Sequence, residues 1–245
     1  MSNQTASSLS SETIELLRRA STATVTMQLL KRGLRNLAIS GLRPLNLGAT
    51  RIVGPAWTLR YIPGREDLNP PPKPGDPENA QRHTVERAPP GSVVIVSTGG
   101  ELRSGTFGDI LVARMKVRGV AGIVTDGAMR DVPVVSTMDI PVFCAGAAAP
   151  PSMNWLHPID VQVPVGCGGV PVFPGDAVIA DADGVVIVPN GIAAEVARDA
   201  FEQERIETFV ALQVKKGKST TGLYPPNDET RAAYAKWLAA GEPTD

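Results

Sequence analysis

The stretch from Gly91 to Gly146 constrains the fold more than any other. "GSVVIVST" (91–98) is an unbroken apolar run, too short for a core helix and without the alternation of a half-solvated strand. Such a run suits a strand buried on both faces, which is the situation of parallel sheets covered by helices. "GDILVARMKVRG" (108–119) follows, with apolar residues at Ile110, Leu111, Val112, Met115 and Val117, and it predicts a helix. "VAGIVTDG" reads as the next strand, "VPVVSTM" as a short helix and "IPVFCAG" as a third strand. Strand–helix–strand–helix–strand with short connections predicts a parallel α/β layer, with a ligand site beyond the carboxyl ends of its strands.

Upstream, Ser10 or Ser11 can cap a first helix, and "STATVTMQLLKRG" predicts a second that stops at Gly33. "RIVGPAWTLRYI" (51–62) reads as a strand, the Pro- and Gly-rich segment 63–78 as an inserted loop, and "ENAQRHTVERA" (78–88) as a helix. From about Ile159 the rhythm changes. "IDVQVPV", "GVPVF", "DAVIAD" and "GVVIVP" are short strands separated by turn residues, and they predict a second, antiparallel β layer. Two helical stretches, 193–217 and 227–241, close the chain. One domain over 1–245 is expected, with an insertion near 63–78 and a helical C-terminal extension over 193–245.

Composition narrows the function. The net charge of −1 gives no bulk attraction to nucleic acid, and an aromatic content of 4% offers few base-stacking platforms. No nucleic-acid partner is expected. No apolar run approaches 18 residues and the N-terminal residues are polar, so neither a membrane partner nor a signal peptide is expected, and the cytoplasm is the default compartment. Cys144 and Cys167 lack metal-type spacing and are expected as buried thiols.

At the end of the second predicted parallel strand, Arg130 and Asp131 stand side by side. Two readings are open. Asp131 can cap the helix that begins at Val132-Pro133, with Arg130 on the surface. Alternatively, Asp131 holds a divalent cation, since Mg²⁺ is often held by one carboxylate and waters, and Arg130 faces an anionic oxygen. Gly105 and Gly108 precede the helix at 109, whose free amides attract a carboxylate. That use requires the Asp109 side chain to turn away. Asp126-Gly127 is a turn or a support for the site, and "GGELRSG" (99–105) is a candidate wall of the same crevice. His83 and His157 have no partner at ligand spacing, and Cys167 has no nearby histidine in sequence. Glu195, Asp199, Glu202, Glu204 and Glu207 form an acidic stripe, either a solvated helix face or the source of one residue for a neighbouring subunit. No GxSxG, HExxH or Walker-type loop occurs.

In their order and spacing, "GDIL" (108–111), "RGVAGIVTDGAMRD" (118–131) and "GCGGVPVFPGDAVIADADGVVIVP" (166–189) resemble the RraA-like superfamily. That group includes the class II pyruvate-specific aldolases and the regulators of ribonuclease activity A. The resemblance implies a layered α/β/β fold of the swivelling type, assembled as a homotrimer or hexamer with sites between subunits. It implies that the amides of Gly108, Asp109, Ile110 and Leu111 hold pyruvate, that Arg130 contacts the keto or enolate oxygen, and that Asp131 binds Mg²⁺ (or Mn²⁺). A glutamate from a neighbouring subunit, Glu204 or Glu207, would complete the metal's water shell. The implied function is a metal-dependent lyase that cleaves a C–C bond of a small 2-oxo acid through a pyruvate enolate. Its substrate would be of the 4-hydroxy-4-methyl-2-oxoglutarate type, oxaloacetate, or both. The alternatives are a non-enzymatic protein-binding regulator of ribonuclease activity, and a lyase or hydratase of sugar-derived 2-oxo acids. The regulators typically lack the Asp of the pair, so Asp131 favours the enzyme. The insertion at 63–78 and "SMNWLHPID" (152–160) depart from the family pattern at the expected pocket.

Overall fold

The computed structural model describes residues 9–69, 76 and 79–243. Helices α1 (Ser11–Arg18) and α2 (Thr22–Lys31) begin at Ser10 and Ser21, whose hydroxyls each accept a first-turn amide at 3.1 Å. Gly33 ends α2 in a left-handed conformation with φ of 80°, as its position predicted. There follow β1 (Ala38–Ile39), β2 (Arg43–Pro44), β3 (Ile52–Pro63), α3 (Ala80–Arg87), β4 (Val93–Ser97), α4 (Asp109–Val117), β5 (Gly122–Thr125), β6 (Ala128–Met129), α5 (Val132–Val135), β7 (Val142–Cys144) and β8 (Gly146–Ala147). The remainder is β9 (Leu156–Val161), β10 (Val165–Cys167), β11 (Val170–Val172), β12 (Ala177–Asp181), β13 (Gly184–Val188), α6 (Ala193–Lys215) and α7 (Asp228–Ala239).

The main sheet runs β1-β13-β12-β3-β4-β5-β7-β2, with β9 also on β3. Strands β3, β4, β5 and β7 are parallel, as the strand–helix rhythm required. The long β3 joins two halves. Its residues Ile52–Pro55 pair antiparallel with β12, and Ala56–Arg60 pair in parallel with β4.

Alternation along the strands then sorts side chains into three cores. Val93, Ile95, Val124 and Phe143 from one half share a core with Val178, Ala180, Val185 and Ile187 from the other. The alternate residues Val94, Val96, Ile123 and Val142 face α3, α4 and α5 through Val85, Val112, Met115 and Val135. On the far side, Ala177, Ile179, Val186 and Val188 face α1, α2 and α6 through Leu17, Val25, Leu29, Val196 and Ala200. The result is a layered α/β/β arrangement with a further helical layer outside it. Each fully buried aliphatic side chain in these cores contributes roughly 1.5–3 kcal/mol.

The second β layer is antiparallel, as expected, and its β12 and β13 are hydrogen-bonded through β3 to the parallel strands, while the β10–β11 hairpin stands apart within it. One expectation is corrected: "IDVQVPV" is not one strand. Gln162 adopts φ of 58°, and its backbone and side chain both bond to Thr58, which separates β9 from β10. Much of the inserted loop (70–75 and 77–78) lies outside the described residues. Its start is anchored where the Gly64 amide donates to the Trp155 carbonyl at 2.9 Å, beside the second departing stretch.

Both cysteines are free and buried, as expected. Beyond the main cores, the second half of α6 and α7 enclose a small cluster of Ile206, Phe209, Val210, Leu223 and Tyr234. No helix among the described residues is long and apolar enough to cross a membrane.

Candidate active site

The site grows from a short parallel ladder that the sequence did not announce. The Thr106 amide donates to the Ala128 carbonyl at 2.8 Å, and the Arg130 amide donates to the Phe107 carbonyl at 2.9 Å. Residues 105–107 therefore run alongside β6, and their register sets Gly108, at the start of α4, against Asp131. Two glycines permit the approach. A Cβ on Gly105 would overlap Arg130 Cγ and come within 2.9 Å of the Arg130 backbone nitrogen, and a Cβ on Gly108 would overlap Asp131 Oδ2.

Asp131 occupies the N-cap position of α5 but makes no side-chain cap bond there. Its backbone is left-handed, at φ 53° and ψ 34°, an uncommon conformation for a residue other than glycine. The carboxylate turns instead to the start of α4, where its Oδ2 accepts from the Asp109 amide at 3.4 Å. This geometry sets aside the capping reading of Asp131. Strain of this kind clusters at functional sites, where surrounding structure over-determines it.

Arg130 is half-buried, and its Nε is buried without a hydrogen-bond partner. Asp131 is exposed. The pair therefore sits at an open mouth, with exposed apolar side chains on the adjoining helices in Ile110 (77% exposed) and Val134 (48%). The Asp109 carboxylate folds back onto the Ile110 amide at 2.8 Å and occupies that donor. The Leu111 amide has no acceptor among the described residues.

Asp126 is a support. It is buried, its Oδ1 accepts from the Thr98 amide at 2.7 Å and the Thr98 hydroxyl at 3.0 Å, and its Oδ2 accepts from the Gly168 amide at 3.3 Å. It ties the loop after β4 to the Gly-rich turn after β10.

Glu204 and Glu207 are not brought to Arg130 and Asp131 within the chain. Glu204 accepts from the Ser21 amide at 2.8 Å and so caps α2. Burial raises its pKa, but the Ser21 amide, the Thr24 and Ser21 hydroxyls and Arg51 outweigh that and hold it below the ordinary value. The Glu207 carboxylate accepts from Gln203 Nε2 at 2.8 Å and borders a groove between α2 and residues 224–226. His83 stacks on Trp57 with ring centroids 6.5 Å apart, and His157 sits in β9. No group of three His, Cys, Asp or Glu arranged to hold a metal occurs among the described residues.

The parallel α/β layer thus carries an arginine–aspartate pair against the N-terminus of α4. The RraA-like family model, described as Aldolase/RraA, matches residues 22–187, and the chain belongs to that family. A protein of Halalkalibacterium halodurans provisionally named a 4-hydroxy-4-methyl-2-oxoglutarate aldolase is 33% identical over 172 residues, covering 70% of this chain and 75% of the relative. Among solved structures, Streptomyces coelicolor RraAS2, described as an unusual member of the RNase ES inhibitor RraA family, is 37% identical with a TM-score of 0.74, covering 83% of this chain and 97% of the other. An uncharacterized protein from Pseudomonas syringae pv. tomato is 25% identical with a TM-score of 0.80, covering 91% and 97%.

Proposed function

We propose that the chain is a metal-dependent lyase that releases pyruvate from a 2-oxo acid. One observation carries this reading. Asp131 forgoes the cap of its own helix and, in a left-handed conformation, turns its carboxylate toward α4 beside Arg130. The provisional aldolase name of a relative 33% identical supports it.

The donor set suits Mg²⁺ or Mn²⁺. With no group of three His, Cys, Asp or Glu among the described residues, an exposed carboxylate is a poor zinc site, whereas Mg²⁺ keeps several of its waters and needs only one or two protein carboxylates. Asp131 would hold the ion, which when bound supplies Lewis-acid polarisation of the keto oxygen. Arg130 places a permanent charge where the enolate oxygen develops as the C–C bond breaks. The substrate carboxylate is taken by the first-turn amides of α4. Leu111 offers its amide directly, and the Asp109 carboxylate must swing off the Ile110 amide to free a second. With a 4-hydroxy substrate the C4 hydroxyl gives its proton to water as its carbon leaves as a carbonyl compound, with oxaloacetate the departing fragment is CO₂, and in both cases the electron pair of the broken bond forms the enolate, which takes a proton from water at carbon to give pyruvate. The open mouth and its exposed Ile110 and Val134 suit closure by a second subunit, in a homotrimer or hexamer. Of the two candidate glutamates, Glu207 is the one left available, because Glu204 is engaged within its own chain.

The test is pyruvate release from 4-hydroxy-4-methyl-2-oxoglutarate and from oxaloacetate, with and without Mg²⁺. Asp131→Ala is expected to keep the fold and lose metal-dependent turnover by about 10²–10³-fold. Full turnover by that variant after EDTA treatment sinks the reading. The 37% identity to RraAS2 favours a second reading, protein-binding regulation of a ribonuclease. It predicts no Mg²⁺-dependent pyruvate release and a measurable inhibition of an RNase E-type enzyme.

A further inference from the structure

The ladder that carries Arg130 is irregular where it meets that residue. The Thr106 amide donates to the Ala128 carbonyl at 2.8 Å, and the Thr106 hydroxyl donates to the same carbonyl at 3.2 Å. In a regular parallel ladder, the residue that donates to one carbonyl accepts from the amide two positions further along the neighbouring strand. Thr106 would then accept from Arg130. Instead the Arg130 amide donates one residue further on, to the Phe107 carbonyl at 2.9 Å. The pairing has slipped by one residue between Thr106 and Phe107, in the manner of a β-bulge, and bulges beside active sites re-aim side chains.

The Thr106 carbonyl that the slip releases is taken by a side chain. Gln81, in the first turn of α3, donates to it through Nε2. Thr106 is only 2% exposed, so its carbonyl depends on a protein donor. The neighbouring residues are fixed by other contacts. The Gly105 amide donates to the Pro150 carbonyl at 2.9 Å, and Phe107 is buried in the core under α3, α4 and α5. Gln81 is half-buried, with the buried Tyr61 hydroxyl of β3 and Ser152 beside it. Arg65, Glu66, Asp76 and His157 border the same cavity of about 310 Å³.

We infer that Gln81 is a positioning residue for the Arg130–Asp131 site. By occupying the Thr106 carbonyl, it holds the one-residue slip that sets Arg130 against Gly105 and Asp131 against Gly108. One residue of strand is about 3.3 Å, and a misplacement of about 1 Å can lower a rate on the order of 10²-fold. For its effect on turnover the inference rests on the lyase reading. Gln81 acts through the backbone alone and contacts neither Arg130 nor Asp131 by a hydrogen bond.

The test compares wild type, Gln81→Met and Gln81→Glu in Mg²⁺-dependent pyruvate release between about pH 5.3 and about pH 8. Methionine keeps the length of the side chain and removes the donor, whereas glutamate donates only when protonated. Relative to wild type at the same pH, Gln81→Met is expected to lose about 10²-fold in kcat/KM throughout. Gln81→Glu should lose as much at about pH 8. It should recover about tenfold at about pH 5.3, where about a tenth of a glutamate with its ordinary pKa of about 4.3 carries a proton. Taking the ratio to wild type cancels groups that titrate in both proteins, such as His157 and Asp76. Thermal melts at both pH values establish that the variants are folded. Wild-type kcat/KM in a folded Gln81→Met, or a Gln81→Glu ratio that stays flat with pH, overturns the inference. Crystal structures read the slip without activity. The Arg130 amide is expected on the Phe107 carbonyl in wild type and on the Thr106 carbonyl in Gln81→Met, and an unchanged ladder in that variant overturns the inference. A wild type that releases no pyruvate with Mg²⁺ overturns the lyase reading and with it the effect on turnover, while the two ladders still decide whether Gln81 holds the slip.

Discussion

Replacing Gly108 by Ala separates the chemistry of the site from the stability of the fold. Gly108 has φ of −108°, a conformation open to alanine, so no backbone strain arises. The added Cβ overlaps Asp131 Oδ2, the mobile end of an exposed side chain, while the remaining neighbours of that Cβ stand at 3.5 Å and beyond. The fold therefore survives and the carboxylate is pushed aside by about 1 Å, a displacement that costs on the order of 10²-fold in rate where geometry matters. The stability cost is that of an alanine at an N-cap, up to about 1 kcal/mol, or roughly 2–4 °C in melting temperature for a chain of this size. The assay pairs pyruvate release in saturating Mg²⁺ with a thermal melt. Wild-type kcat/KM in a folded Gly108→Ala protein refutes the claim that Asp131 acts from the position the structure gives it.

Gly105→Ala differs because its Cβ meets backbone, with Arg130 N and Met129 C both at 2.9 Å, and neither can move without breaking the ladder to residues 105–107. It is expected to lose about 1–3 kcal/mol of stability as well as activity, read from denaturant unfolding. Burial raises the Cys144 thiol pKa to about 11. Its contribution to stability is full below the unfolded value near 8.5 and is lost as pH rises toward 11, so the melting temperature of a Cys144→Ala variant should vary less than wild type between about pH 9 and 11. A wild-type profile identical to that variant's would refute the assignment.

The legible features of this chain are those that neighbouring residues decide. Ser10 and Ser21 cap helices because a hydroxyl reaches an amide three residues on, and Gly33 ends one because it alone pays little for a left-handed turn. The unbroken apolar run at β4 demands cover on both faces, and so the parallel layer and the general position of the candidate site follow. The motifs around Gly108, Arg130 and Asp131 carried the family, and the structure places these residues together.

Tertiary structure alone decided what depends on pairing between distant segments. Whether β12 forms its own sheet or joins β3 turns on hydrogen bonds between residues more than a hundred positions apart, and local propensity does not encode that choice. The capping potential of Asp131 for α5 is a local property. That its carboxylate turns to α4 follows from a ladder between residues 105–107 and β6, which no spacing in the chain reveals. Likewise, Glu204 and Glu207 are equivalent on a helical stripe, and only the packing of α2 against α6 ties the first to Ser21, while the second bonds within α6 to Gln203.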